Sequence, residues 1–195
     1  MSPVSVFATL PILLAIASPG GASIRLPKEQ AVPQEFVVSV NRYVEMHRLV
    51  TAPLGPPEMC ADAEELLRQE WAFARAIREA RPYAREGDIF TPEVARYFRA
   101  VIAEVGWERG LDLVGEVEDA AEWDTEAAVV EVNAPIPWNA GPMMWPSVLA
   151  QLPELPPELE YRFVGRDLVL VDLFGSVVVD VLRDSLPIVE PSESS

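Results

Sequence analysis

Only two residues in this chain belong to the types that most readily run acid–base or nucleophilic chemistry at neutral pH. They are one histidine, His47, and one cysteine, Cys60. A cysteine-protease arrangement would need the two to meet, and no flanking motif supports that. One thiol forms no internal disulfide, and nothing beside Cys60 in the sequence lowers its pKa, so it reads as inert. A zinc site needs several His, Cys or carboxylate ligands at set spacing, which one His and one Cys do not provide. The Gly-x-Ser-x-Gly elbow, the phosphate loop and the dinucleotide loop Gly-x-Gly-x-x-Gly are all absent. The run GEVEDAAEWDTE (115–126) is acidic but lacks the alternating ligands and central glycine of a calcium loop. It reads as a solvated face. Carboxylate pairs suited to glycoside hydrolysis can be drawn freely among 31 acids and therefore carry no signal. The sequence thus assigns no catalytic residue, no metal ligand and no cofactor.

The stretch around His47, YVEMHRLV (43–50), decides how that histidine is read. Phe36, Val40, Tyr43, His47 and Val50 recur at steps of four and three, one stripe of an amphipathic helix. A histidine on such a stripe packs its ring and gives one N–H to a neighbour. The expectation is a structural His47 enclosed among Phe36, Val40 and Tyr43. Pro33 opens this helix, and Pro53, Gly55, Pro56 and Pro57 close it.

A second helix is expected from Glu58 to about Ala80, with Ala63, Leu67, Trp71, Ala74 and Ile77 inward. A third begins at the cap Thr91-Pro92, carries Val94, Phe98, Val101 and Val105 inward, and ends at Gly106 or Gly110. AAVVEVN (127–133) reads as a strand. Residues 135–157 hold seven prolines with Trp138 and Trp145, an extended surface segment with one helical turn near Ser147–Leu152.

ELEYRFVGRDLVLVDLFGSVVVDVL (158–182) reads as three antiparallel strands with turns at Gly165-Arg166 and Leu173–Ser176. In that register Phe163 faces Leu168, Tyr161 faces Leu170 and Leu170 faces Val179. One face carries Leu159, Tyr161, Phe163, Leu168, Leu170, Val177, Val179 and Val181, apolar except for Asp172 at its end. The other carries Glu160, Arg162, Asp167, Val169, Val171 and Asp180. Arg162 and Asp180 would be surface charges one strand apart, and Leu173 and Phe174 would fold back into the core. An apolar sheet face needs a cover, and the three helices supply it. The fold class is therefore α+β: about three N-terminal helices packed on a small C-terminal antiparallel meander, which strand 127–133 is available to extend. It forms one domain over residues 33–187, with a disordered tail, 188–195.

The chain has 195 residues, 50% of them hydrophobic, enough for one real core. Its net charge of −16 repels phosphate backbones and anionic membrane surfaces, so nucleic acid is a poor partner. Fourteen arginines against the single Lys28, with many Ala, Pro and Val, suggest a GC-rich bacterial coding sequence. The apolar run Val6–Ala17 is 12 residues long, too short to span a bilayer. Small residues and Pro-Gly-Gly follow it, which suits a signal peptide over residues 1–22, cut after Ala17 or Ala22. Its n-region carries no Lys or Arg. No cysteine follows to anchor a lipid. Export to the periplasm or medium is the expectation, and a chain without this leader would be cytoplasmic.

NRYVEMHRLV (41–50), ARPYAREGDIFTPEVARYFR (80–99) and LPELPPELEYRFVGRDLVLVDLFGSVVVDVL (152–182) resemble a family of small exported bacterial proteins of unknown function. The likeness covers roughly residues 33–187. It implies an exported α+β domain in which His47, Asp88 and Arg166 belong to recurring motifs, and it brings no activity or catalytic residue. The function expected is a non-enzymatic exported binding or interaction module for a protein or small-molecule partner, with the Pro/Trp segment 135–157 and the acidic face as contact surfaces. The alternatives are a small hydrolase using His47 with carboxylates, and an accessory structural subunit of an envelope complex.

Overall fold

The computed structural model describes residues 31–56, 62–110, 112, 113, 115, 130–137 and 145–186. The expected leader, Cys60, Trp138, most of the acidic run and the tail lie outside them.

Helix α1 spans Gln34–Thr51 and turns Phe36, Val40, Tyr43, Val44, His47 and Thr51 inward; Phe36, Val40, Tyr43 and His47 are on the predicted stripe, while its last member, Val50, is only partly buried. A short 3-10 turn, Ala52–Leu54, follows and stops at Gly55, whose φ of +76° suits a residue without a Cβ. Helix α2 spans Ala63–Ala80. It starts five residues later than Glu58 because Asp62 is its cap, the side chain accepting the Glu64 N–H at 3.0 Å. Its buried residues are Phe73, Ala74 and Ile77, all in its second half. Leu67 and Trp71, expected inward, are exposed, because what covers α2 reaches only that second half. Helix α3 spans Pro92–Arg109, capped by Thr91 and closed by Gly110 in the left-handed conformation. Val94, Phe98, Ile102 and Val105 are buried along it. A single turn, α4, spans Pro146–Leu149 and buries Val148.

The sheet is β1 (Leu159–Val164), β2 (Asp167–Asp172) and β3 (Val177–Leu182), antiparallel, in the order β1-β2-β3. With the helices ahead of it, this is the α+β architecture anticipated from the pattern. Phe163 pairs with Leu168 and Tyr161 with Leu170, as expected. The β2–β3 register does not stay regular. Asp172 pairs with Val177 and Val171 with Val178, but then Leu170 pairs with Asp180 rather than Val179. The extra residue is a bulge. Beyond it the faces change places: Val181 leaves the helix-covered side and Leu182 takes its place.

Two apolar layers result. The helix side joins Leu159, Tyr161, Phe163, Leu168, Leu170 and Val179 to the inner residues of α1, α2 and α3. The far side joins Val169, Val171, Val178 and Val181 to Val130 and Ile136. At about 1.5–3 kcal/mol for each fully buried aliphatic side chain, both layers resist a register slip. The far face, expected to be mixed, thus has its own roof. That roof is not the strand expected over 127–133. Residues 127–129 lie outside the described set, and Asn133 sits in a turn with φ +66°. Instead Pro135 bridges to Val177, with Asn133 N–H on Val178 O at 2.8 Å and Ile136 N–H on Ser176 O at 2.8 Å. The proline has no donor for a longer ladder.

The loop joining β2 to β3 presses on α2. A Cβ on Gly175 would lie 2.8 Å from the Ala74 nitrogen and 2.9 Å from its Cα. Only glycine lets these two backbones approach so closely.

Candidate functional site

His47 and Asp172 form the polar centre of the helix-side core. Side-chain exposure is 1% at His47 and 0% at Asp172. The fourth turn of α1 sets His47 over the end of β2, where Asp172 follows four apolar residues. His47 Nδ1 lies 2.6 Å from Asp172 Oδ2, and the Tyr43 hydroxyl donates to the same oxygen at 2.8 Å. Tyr43 precedes His47 by one helical turn, so both donors share one face of α1. The other oxygen, Oδ1, accepts the backbone N–H of Phe174 at 2.9 Å and of Gly175 at 3.1 Å. Four donors thus serve one carboxyl group. Burial, with the Asp172 charge and hydrogen bond added, pushes the Tyr43 hydroxyl well above the usual phenol range.

Aromatic rings close this centre. Phe174 meets His47 edge-on at 5.0 Å and Phe73 edge-on at 5.6 Å. Arg81 stands over the Tyr43 ring at 5.1 Å and donates to Val179 O at 2.9 Å. Burial lowers the Arg81 pKa, against the pull of Tyr43, Asp180, Asp88 and Asp172. Beside His47 in sequence, Arg48 reaches Glu158 at 2.6 Å. Burial pushes the Glu158 carboxyl up. The Arg48 hydrogen bond, a backbone hydrogen bond and the neighbouring charges outweigh this and hold it below the usual range.

Chemically, the His47–Asp172 pair orients an imidazole, as the acid–base pair of a hydrolase would. The ring is sealed, however. Its ring and hydrogen-bond partners are Tyr43, which belongs to the expected cage, with Asp172 and Phe174, which do not. Among the described residues no group of three or more His, Cys, Asp or Glu is placed to hold a metal ion, and no helix is long and apolar enough to cross a membrane.

A second polar centre forms at Asp180, which the sequence pattern places as a surface charge. Asp180 is 0% exposed and does not face Arg162 across the sheet. The bulge moves it out of that row. Its carboxyl accepts the N–H groups of Gly87 (2.9 Å), Ile89 (2.6 Å), Phe90 (2.7 Å) and Val181 (2.8 Å). Burial raises its pKa, and the four amides oppose that rise. It fixes the loop that leads into α3. Arg162 pairs instead with Glu160 and donates to Pro137 O. Asp88, in the same loop, accepts the Arg85 N–H. Arg166 donates to Leu186 O at 3.3 Å. At the hairpin tip only Phe174 packs against the core as expected; Leu173, also expected inward, is exposed. Sequence reasoning missed Glu158 and the role of Asp180. It did single out Asp172 as the polar exception on an apolar face, though without naming a partner for it.

The open surface lies elsewhere. A groove of about 630 Å³ runs along α2, lined by Glu70, Trp71, Arg75, Arg78, Pro135 and Gly175 among others. Trp71 is 67% exposed at its side, and Leu66 and Leu67 are half exposed one turn earlier. No family model, no curated protein and no solved structure matches the chain.

Proposed function

We propose that this protein is a non-enzymatic, exported binding or interaction module that engages its partner through the outer face of α2 and the adjoining groove. One observation carries the reading: Trp71, 67% exposed, stands at the groove, and the exposed Leu67 lies one turn earlier on the same face of α2. Large apolar side chains left together on a surface mark contact sites, and tryptophan is the residue most often dominant in them. Pro135 at the groove brings in the start of the Pro/Trp segment. The hydrolase alternative has less support, because its imidazole is sealed and its carboxyl partner is occupied by four donors.

A photo-crosslinking residue placed at Trp71, and in a second strain at Tyr83, tests this. Tyr83 is 85% exposed but lies off the groove lining. A discrete adduct from position 71 with none from position 83 is expected. Equal labelling at both, or none at 71, overturns the reading. The mass of the mature N-terminus tests export: loss of 17 or 22 residues is expected, and an intact leader in the cytoplasmic fraction refutes it.

A further inference from the structure

Two buried polar atoms near the His47 end of the sheet have no hydrogen-bond partner: His47 Nε2 and Glu158 Oε2. Both side chains are buried. Leaving such atoms unserved is costly, and native interiors resolve the cost with a partner or an internal water. The two belong to one neighbourhood. Arg48, adjacent to His47 on α1, binds the other Glu158 oxygen. Glu158 immediately precedes Leu159, the strand partner of Asp172, and its carbonyl accepts the Leu173 N–H at 2.9 Å. They are not within hydrogen-bond reach of each other, since neither has a partner.

We infer that one internal water molecule binds between His47 Nε2 and Glu158 Oε2 and links the two carboxyl-anchored side chains. A buried water has about two to four partners. The water completes a chain from surface Arg48 through Glu158 and His47 to Asp172 and Tyr43. It gives His47 a role on both ring nitrogens: Nδ1 holds the strand end, and Nε2 holds the water.

The single histidine makes the test direct, because the imidazole spectrum of the labelled full chain has one spin system. Slowly exchanging water cross-peaks to the His47 ring protons are expected in the wild type and in Glu158→Gln. A Tyr43→Phe background removes relay through that hydroxyl, and the peaks should remain there. In Glu158→Leu the cross-peaks should be lost while the Nδ1 proton bound to Asp172 persists. A wild type without these peaks, or a Glu158→Leu spectrum that keeps them, overturns the inference. A high-resolution crystal structure gives a second readout. Water density within about 3.2 Å of both atoms supports the site; direct contact between Nε2 and Oε2 refutes it.

Discussion

Asp172 and Asp180 are two fully buried carboxyl groups on adjacent strands, and each accepts four hydrogen bonds. They differ in who donates. Asp180 is served wholly by backbone amides, three of them from the 87–90 loop. Asp172 takes two from its own hairpin and two from side chains of α1. The first arrangement fixes a loop whatever side chains the loop carries. The second depends on a tyrosine and a histidine one turn apart, so it ties a particular helix to a particular strand. Substitutions other than proline leave the backbone donors in place, which makes the Asp180 centre sensitive chiefly at the acceptor. The Asp172 centre can be dismantled from either side.

The largest effect should come from Asp180→Ala. It leaves four amides without an acceptor, and a loss of roughly 3–5 kcal/mol in urea unfolding is expected. A loss below about 1 kcal/mol would break the comparison, since it would mean that water reaches the loop freely. His47→Ala should cost less, about 2–3 kcal/mol, because it opens a hole beside Phe174 but leaves three donors on Asp172. Tyr43→Phe keeps the ring and deletes one hydrogen bond, so about 1 kcal/mol is expected. Its cost should shrink in an Asp172→Asn background. Full additivity in that double-mutant cycle would sever the link drawn between α1 and β2. The smallest effect belongs to Glu158→Gln, at most about 1 kcal/mol, because Arg48 is largely exposed and screened. The Glu158 carboxyl is held below its usual range, so its contribution is present above the unfolded value and disappears as pH falls through the folded one. The gap between wild type and Glu158→Gln should therefore close on acidification below about pH 4.5.

Most of the fold was readable because period and punctuation agree along the chain. The α1 stripe, the Thr91-Pro92 cap and the two hairpin turns each follow from local rules. The bulge was not readable. An extra residue in a run of valines leaves no mark, since Val178, Val179 and Val181 suit either face. That one unseen residue misplaced Val181 and put Asp180, a fully buried carboxyl, on the surface. Trp71 failed for another reason. Its helical spacing is right for burial, and only the reach of the covering elements leaves it in water. At the polar centre, His47 showed itself by being unique and Asp172 by its place on an apolar face. Glu158 could not be told from its many acidic neighbours.

The near-contact of Gly175 with Ala74 has a practical consequence for anyone tagging or cutting this protein. Hairpin tips normally accept a label, an added peptide or new chain ends. This one is wedged against a helix with no clearance, so any residue larger than hydrogen at position 175 would prise α2 off the sheet. Fluorophores and permuted termini belong at the Gly165-Arg166 turn, where a Cβ at the glycine has nothing within 4 Å, although its φ of +55° still favours Asn or Gly there.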